Sequence, residues 1–128
     1  MAETAPDEDL ARYVFNNYGW LMTVQEARAQ YTFIADAMSR TPGAARRLAL
    51  LEQQIARISG EPMRTTDPEA LALMRDGLEA FIKTTSARIL RDHQDTVVLN
   101  HCPRCGGLAR TPRAKQCRWC FHTWHGQP

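Results

Sequence analysis

The sequence predicts a mainly α fold, a bundle of about four helices followed by a small C-terminal four-cysteine module with a short β-hairpin. Three observations predict it. Over residues 1–95 the apolar residues recur at helical rather than alternating spacing, and start and stop signals separate the runs. A β-branched stretch, Thr96-Val97-Val98-Leu99-Asn100, then breaks the helical pattern. Directly after it come two close cysteine pairs, Cys102-x-x-Cys105 and Cys117-x-x-Cys120. At 128 residues the chain has room for one modest core. The expected organisation is therefore a helical bundle over 1–95 and a metal-binding module over 96–128.

The first helix is expected from about Asp7 to Tyr18, with acids crowding its start, Leu10, Val14 and Tyr18 along one side and Gly19 as its stop. The second opens at Thr23 with Glu26 three residues on, a capping box in which each side chain satisfies a free backbone donor. It should run to about Arg40 with Val24, Ala27, Tyr31, Ile34 and Met38 on its core face, and Trp20 and Leu21 packing back as a staple. The third is announced by Thr41-Pro42 as cap and first-turn proline, and is closed by Gly60 and Pro62. Ala44, Leu48, Leu51, Ile55 and Ile58 recur in it at alternating steps of four and three, a narrow stripe suited to antiparallel helix packing and leaving room for a homodimer. The fourth begins at Asp67-Pro68-Glu69 and should be the longest, reaching Arg91 or His93, with Leu71, Met74, Leu78, Phe81, Ile82 and Ile89 buried. No internal repeat or low-complexity run is evident.

Thr96–Asn100 is the expected first strand of the module, pairing with Leu108-Ala109-Arg110 across the Gly106-Gly107 turn. A C-x-x-C turn presents two thiolates from one tight loop, and two such turns supply the four soft ligands of a tetrahedral zinc ion. The expected ligands are Cys102, Cys105, Cys117 and Cys120, holding one structural zinc in a miniature zinc ribbon. Gly106 supplies the left-handed residue that such a turn wants, whereas the second turn has Phe121 there and its backbone should be strained or differently shaped. Iron in a rubredoxin-like cage uses the same four thiolates and stays open as an alternative. A thioredoxin-like redox pair does not fit, since the flanking sequence has no βαβ pattern. His101, His122 and His125 lie close by, but four cysteines already close the shell, and a closed shell is structural where a catalytic zinc keeps a position for water.

In these cysteine pairs the chain resembles zinc-ribbon proteins in the broad sense. The run Leu108 to Cys117, LARTPRAKQC, is similar to the C-terminal ends of small uncharacterised bacterial proteins. That resemblance implies metal binding at the four cysteines and says nothing about the helices.

Charge is distributed unevenly. Every Asp and Glu precedes Asn100, so the segment from His101 carries +5 while the part before it carries −3. The acidic start lacks the pattern of a secretory signal, and no apolar stretch reaches membrane-spanning length, so a cytoplasmic protein without membrane contact is expected. In that reducing compartment cysteines pair with metal rather than with each other. The chain has no Gly-rich phosphate loop, nucleophile elbow or H-E-x-x-H, and His93 beside Asp92 and Asp95 reads as a polar helix end, so no enzyme is expected. The leading expectation is a non-catalytic binding protein of immunity, antitoxin or adaptor type, its acidic helices masking a basic site on a protein partner. The alternative is nucleic-acid binding by the tail, in which Arg104, Arg110, Arg113, Lys115 and Arg118 surround Trp119, Phe121 and Trp124, the arginines contacting phosphate and the exposed aromatics stacking on bases. The two tryptophans, Trp119 and Trp124, have a second use, covering the metal hairpin or docking it on the bundle.

Overall fold

The computed structural model describes residues 8–125, so the expected start of the first helix at Asp7 lies outside the described residues. Among them are five α-helices: α1 (Glu8–Tyr18), α2 (Val24–Met38), α3 (Pro42–Ser59), α4 (Pro68–Ala72) and α5 (Leu78–Asp92). The chain divides into two compact units. One comprises residues up to Leu21 together with Ile82 onward, and the other runs from Met22 to Phe81. No helix among the described residues is long and apolar enough to cross a membrane.

In the Met22–Phe81 unit, α2 starts as its sequence dictates. The Thr23 side chain accepts from the Glu26 backbone N–H at 3.0 Å and the Glu26 carboxylate accepts from the Thr23 N–H at 2.9 Å. Its buried face is not the expected one. Ala29, Thr32 and Ala35 are buried, whereas Val24, Ile34 and Met38 are exposed. The small residues let α4 and the segment before it approach α2 closely, and the Thr32 hydroxyl accepts from the Thr65 N–H at 2.9 Å, which an aliphatic side chain could not do. Trp20, the expected staple, is 70% exposed in a 3-10 turn, Gly19–Leu21, that continues α1 past the glycine expected to stop it.

α3 is the longest of these helices and ends at Gly60 in the left-handed conformation (φ 82°). Thr41 precedes it without forming the expected side-chain cap. Of its apolar stripe only Leu48 is buried, while Leu51 is 49% and Ile58 87% exposed. The loop after α3 is tied down by Arg64, whose guanidinium reaches Glu52 at 2.8 Å, Asp36, and Ser39 Oγ at 3.0 Å. Tyr31 donates to the same Glu52 carboxylate at 2.8 Å. Burial, reinforced by that carboxylate, pushes the Tyr31 phenol up to about 12.

The expected fourth helix is broken into α4 and α5. Successive N–H groups from Leu73 to Arg75 bond three residues back, Gly77 does the same to Met74, and Gly77 then takes φ +96° before α5 resumes. A left-handed residue cannot continue a right-handed helix, so the chain turns there. Leu71, expected in the core, is 41% exposed, whereas Met74 and Phe81 are buried. Asp67 does cap α4, accepting from the Glu69 N–H at 3.2 Å.

In the other unit, α1 buries Ala11, Tyr13, Val14 and Tyr18, and α5 buries Ile82, Thr85, Ser86 and Ile89 at helical spacing. Ser86 Oγ, fully buried, donates to the Ala11 carbonyl at 2.8 Å. Two tyrosines of α1 then hold the segment that leads to the cysteines. Tyr13 donates to the Val98 carbonyl and accepts from the Asn100 N–H at 3.3 Å, and Tyr18 accepts from the Val98 N–H at 3.0 Å. These bonds replace strand pairing. Where a strand was expected over Thr96–Asn100, the backbone after Thr96 carries no regular structure, and the described residues contain no sheet. Only isolated antiparallel bridges form, His101 with Leu108 and Gln116 with Thr123. At the end of α5, Asp92 accepts from Arg88 and Arg91, and those guanidinium bonds hold its carboxyl below the usual range.

Candidate metal centre

The four cysteines lie on two turns that repeat one another residue for residue, fifteen positions apart. In the first, the Cys102 N–H donates to the Gly107 carbonyl at 2.8 Å. In the second, the Cys117 N–H donates to the His122 carbonyl at 2.8 Å. Each turn places a residue at positive φ just after its second cysteine, Gly106 at 80° and Phe121 at 65°. Each is closed by one antiparallel bridge, and each is followed by a buried residue, Ala109 or Trp124. The expected strain at Phe121 is thus present, because the turn imposes a left-handed residue whether or not the sequence offers glycine.

The repetition aims thiols from both turns at one point. All four Sγ atoms lie within 4.8 Å of one another, with Cys105 to Cys117 at 3.5 Å and Cys102 to Cys120 at 3.7 Å. A disulfide requires an S–S separation of about 2.05 Å. Four sulfurs around a zinc ion at about 2.3 Å would stand about 3.8 Å apart. The sulfur positions therefore fit a tetrahedral metal ion and exclude a disulfide in this arrangement. The cysteines form a metal-binding cluster at the C-terminal end of the described chain.

Backbone donors converge on the sulfurs as well. Cys102 Sγ faces the N–H groups of Arg104 (3.3 Å) and Cys105 (3.5 Å), and Cys117 Sγ faces those of Trp119 (3.3 Å) and Cys120 (3.4 Å). Such donors favour thiolate over thiol. Burial by itself would raise Cys117, but the N–H groups of Cys120 and Trp119 and the neighbouring thiols outweigh it and bring the thiol down to about 6. Burial likewise opposes the lowering of Cys102, and the Cys105 and Arg104 N–H groups again prevail. Cys105 goes the other way: the Gly107 N–H draws it down, but the adjacent cysteines and burial push it up to about 11. Four thiols this close cannot all ionise unless a cation sits among them.

Cys102 and Cys117 are buried with Ala109 and Trp124 in a small core, with Ala114 packed against it. Trp124, one of the expected contact residues, is therefore occupied in covering the cysteines and is only 7% exposed. Trp119 is different. Its indole lies across the first turn, with Nε1 donating to the Leu108 carbonyl at 3.2 Å, and it remains 50% exposed with the Arg118 guanidinium 4.5 Å above the ring. Arg104, Arg110 and Arg113 are exposed, and Lys115 is half-buried. Asn100 Nδ2 ties the loop between the turns by donating to the carbonyls of Thr111 and Ala114, both at 2.9 Å. The three histidines stand outside the four-sulfur group: His101 Nδ1 lies 3.1 Å from the Gly106 carbonyl, and His122 stacks on Trp124.

One feature escaped the sequence reading, the fifteen-residue repeat, in which only the cysteines are identical between the two turns. Phe121, expected among the exposed aromatics, is at 70% the most open aromatic in the segment. The chain matches no protein-family model, and no curated protein or solved structure is similar to it.

Proposed function

We propose that the four cysteines hold one structural zinc ion in a miniature zinc ribbon, and that the chain is a non-catalytic protein that docks onto another protein. Zinc suits the donor set, since four thiolates in a tetrahedron fill its coordination and leave no position for water or substrate. The ion would then supply folding energy to a module with almost no core of its own.

The observation that carries the docking reading is the outer face of α3. Leu50, Leu51 and Ile58 are exposed there, Ile58 by 87%. Arg46, Arg47 and Arg57 are exposed on the same helix, and its one acid, Glu52, is turned to Tyr31 and Arg64. Large aliphatics at helical spacing between arginines suit a partner surface that is apolar with acidic edges. The charge is opposite to the acidic mask expected from the sequence. In a self-paired dimer through this face the arginines would meet like charges, which favours a different protein as partner.

The test is purification of the full chain from its native host with nuclease treatment. A single protein should be retained at fixed stoichiometry, and the double variant Leu51→Glu, Ile58→Glu should lose it with helicity and metal content unchanged. Retention by the double variant, or recovery of no stoichiometric protein, would overturn the reading.

A further inference from the structure

We infer that the second cysteine turn is a stacking site for single-stranded nucleic acid, with Phe121 and Trp119 as base platforms and the surrounding arginines as phosphate contacts. This goes beyond the docking reading and concerns different residues.

The argument starts from the repeat. At the left-handed position the first turn uses Gly106, which adopts φ 80° without penalty. The second turn reaches the same geometry with Phe121 at φ 65°. A bulky residue held left-handed is strained. That strain is not offset by burial, because the ring is 70% exposed. Since glycine serves in the twin turn, the fold does not require phenylalanine, and the ring's use lies in what it meets from solvent.

Two residues earlier in the same turn, Trp119 offers a second half-exposed aromatic surface, carrying the Arg118 guanidinium. Beside it the surface hollows into a cleft of about 510 Å³ walled by Trp119, His101, Gly107, Leu108 and Leu99. A cleft of that size with an indole wall accepts a planar base. Asp9 also lines the cleft, where it disfavours a phosphate but can accept from the amino group of a base. Phosphate contact falls to Arg104, Arg110, Arg113 and Arg118, all exposed, in a segment with no acid after Asp95. Exposed rings with arginines around them are the elements of sequence-tolerant single-strand binding, in which bases stack and cations track the backbone. Duplex, whose bases are already stacked, would use only the arginines.

The experiment uses the full zinc-loaded chain and a fluorescein-labelled 15-nucleotide mixed-sequence DNA strand, with its duplex form and poly-glutamate as comparators. The single strand should bind and quench tryptophan fluorescence. Its affinity should fall with salt along a logarithmic slope of about −2 to −3 for three or four phosphates contacted. Phe121→Gly should weaken single-strand binding by about five- to tenfold or more. The same variant should hold its zinc at least as firmly in a chelator competition, because glycine relieves the strain. Arg118→Ala should also weaken binding and flatten the salt slope. Absence of binding at 50 mM salt on the order of the dissociation constants typical of non-specific complexes would overturn the inference. So would equal affinity for duplex without quenching, equal binding by Phe121→Gly, or displacement by poly-glutamate as effective as by DNA, the last marking an acidic-protein site.

Discussion

Trp119 rests on Gly107 so closely that a Cβ added to Gly107 would stand 2.5 Å from the indole Cδ1 and 3.3 Å from Cys105 Sγ. One turn of the cysteine module thus seats on the other through a position that tolerates no side chain. Gly107→Ala should force the indole away and destabilise the module by about 1–3 kcal/mol, the usual cost of overpacking. Faster zinc loss to a chromogenic chelator would show it. Gly19→Ala is the control: nothing lies within 4 Å of its added Cβ and its φ is not in the left-handed range, so zinc retention should not change.

Removal of the metal should act locally. With zinc chelated, or with Cys117→Ser, the small core of Cys102, Ala109, Cys117 and Trp124 loses the bond that organises it. Near-ultraviolet dichroism from Trp124 should collapse while the helical far-ultraviolet signal of the Met22–Phe81 unit persists. Elemental analysis should give one zinc per chain before treatment, and a chain purified metal-free with intact Trp124 signal would contradict the zinc assignment.

Tyr13→Phe removes one hydroxyl that serves two backbone groups, the Val98 carbonyl and the Asn100 N–H. Leaving partly buried backbone groups unpaired costs about 1–3 kcal/mol. The loss should appear in urea unfolding and be accompanied by faster hydrogen exchange at Ala109, whose N–H bonds to the Asn100 carbonyl.

Tyr31 sets an alkaline limit. Its phenol is raised from 10.0 to about 12 by burial and by the Glu52 carboxylate it donates to. The folded state therefore prefers the neutral phenol, and that stability is complete below pH 10 and is lost as pH rises from 10 through about 12. Tyr31→Phe should flatten the stability profile in that window without abolishing its slope, since burial also raises Tyr13. Thermal melts at pH 9, 10.5 and 11.5 would decide it, and an unchanged slope in Tyr31→Phe would exclude this residue as the source.

Gly77→Ala tests the break between α4 and α5. At φ +96° an alanine is strained by roughly 1–2 kcal/mol, so the melting temperature should drop, although the added Cβ meets nothing within 4 Å.

What the sequence disclosed were features written in short-range chemistry. The Thr23/Glu26 capping box, the Gly60 stop, the Asp67 cap and the convergence of four cysteines depend on residues a few positions apart and appear as expected. What it concealed depends on neighbours far along the chain. Ala29, Thr32 and Ala35 carry too little apolar character to outvote Val24, Ile34 and Met38 in a periodicity count, yet their small size is what lets the backbone before α4 come close. The break at Gly77 was hidden by continuous apolar spacing on either side, although Asp76-Gly77 is itself a turn signal. No strand forms at Thr96–Asn100 because the Val98 N–H and carbonyl and the Asn100 N–H are taken by tyrosine hydroxyls eighty or more residues away.

That last distance also fixes an order in time. α1 has eleven residues, below the length at which a lone helix persists in water, and its hydrogen-bonding partners at Val98 and Asn100 are synthesised only after the whole Met22–Phe81 unit. The middle of the chain can fold from near neighbours as it emerges. The two flanks must wait for each other, so docking of the earliest helix is a late event. A nascent chain stalled before Ser86 would display an unanchored α1, an exposed handle by which unfinished copies differ from finished ones.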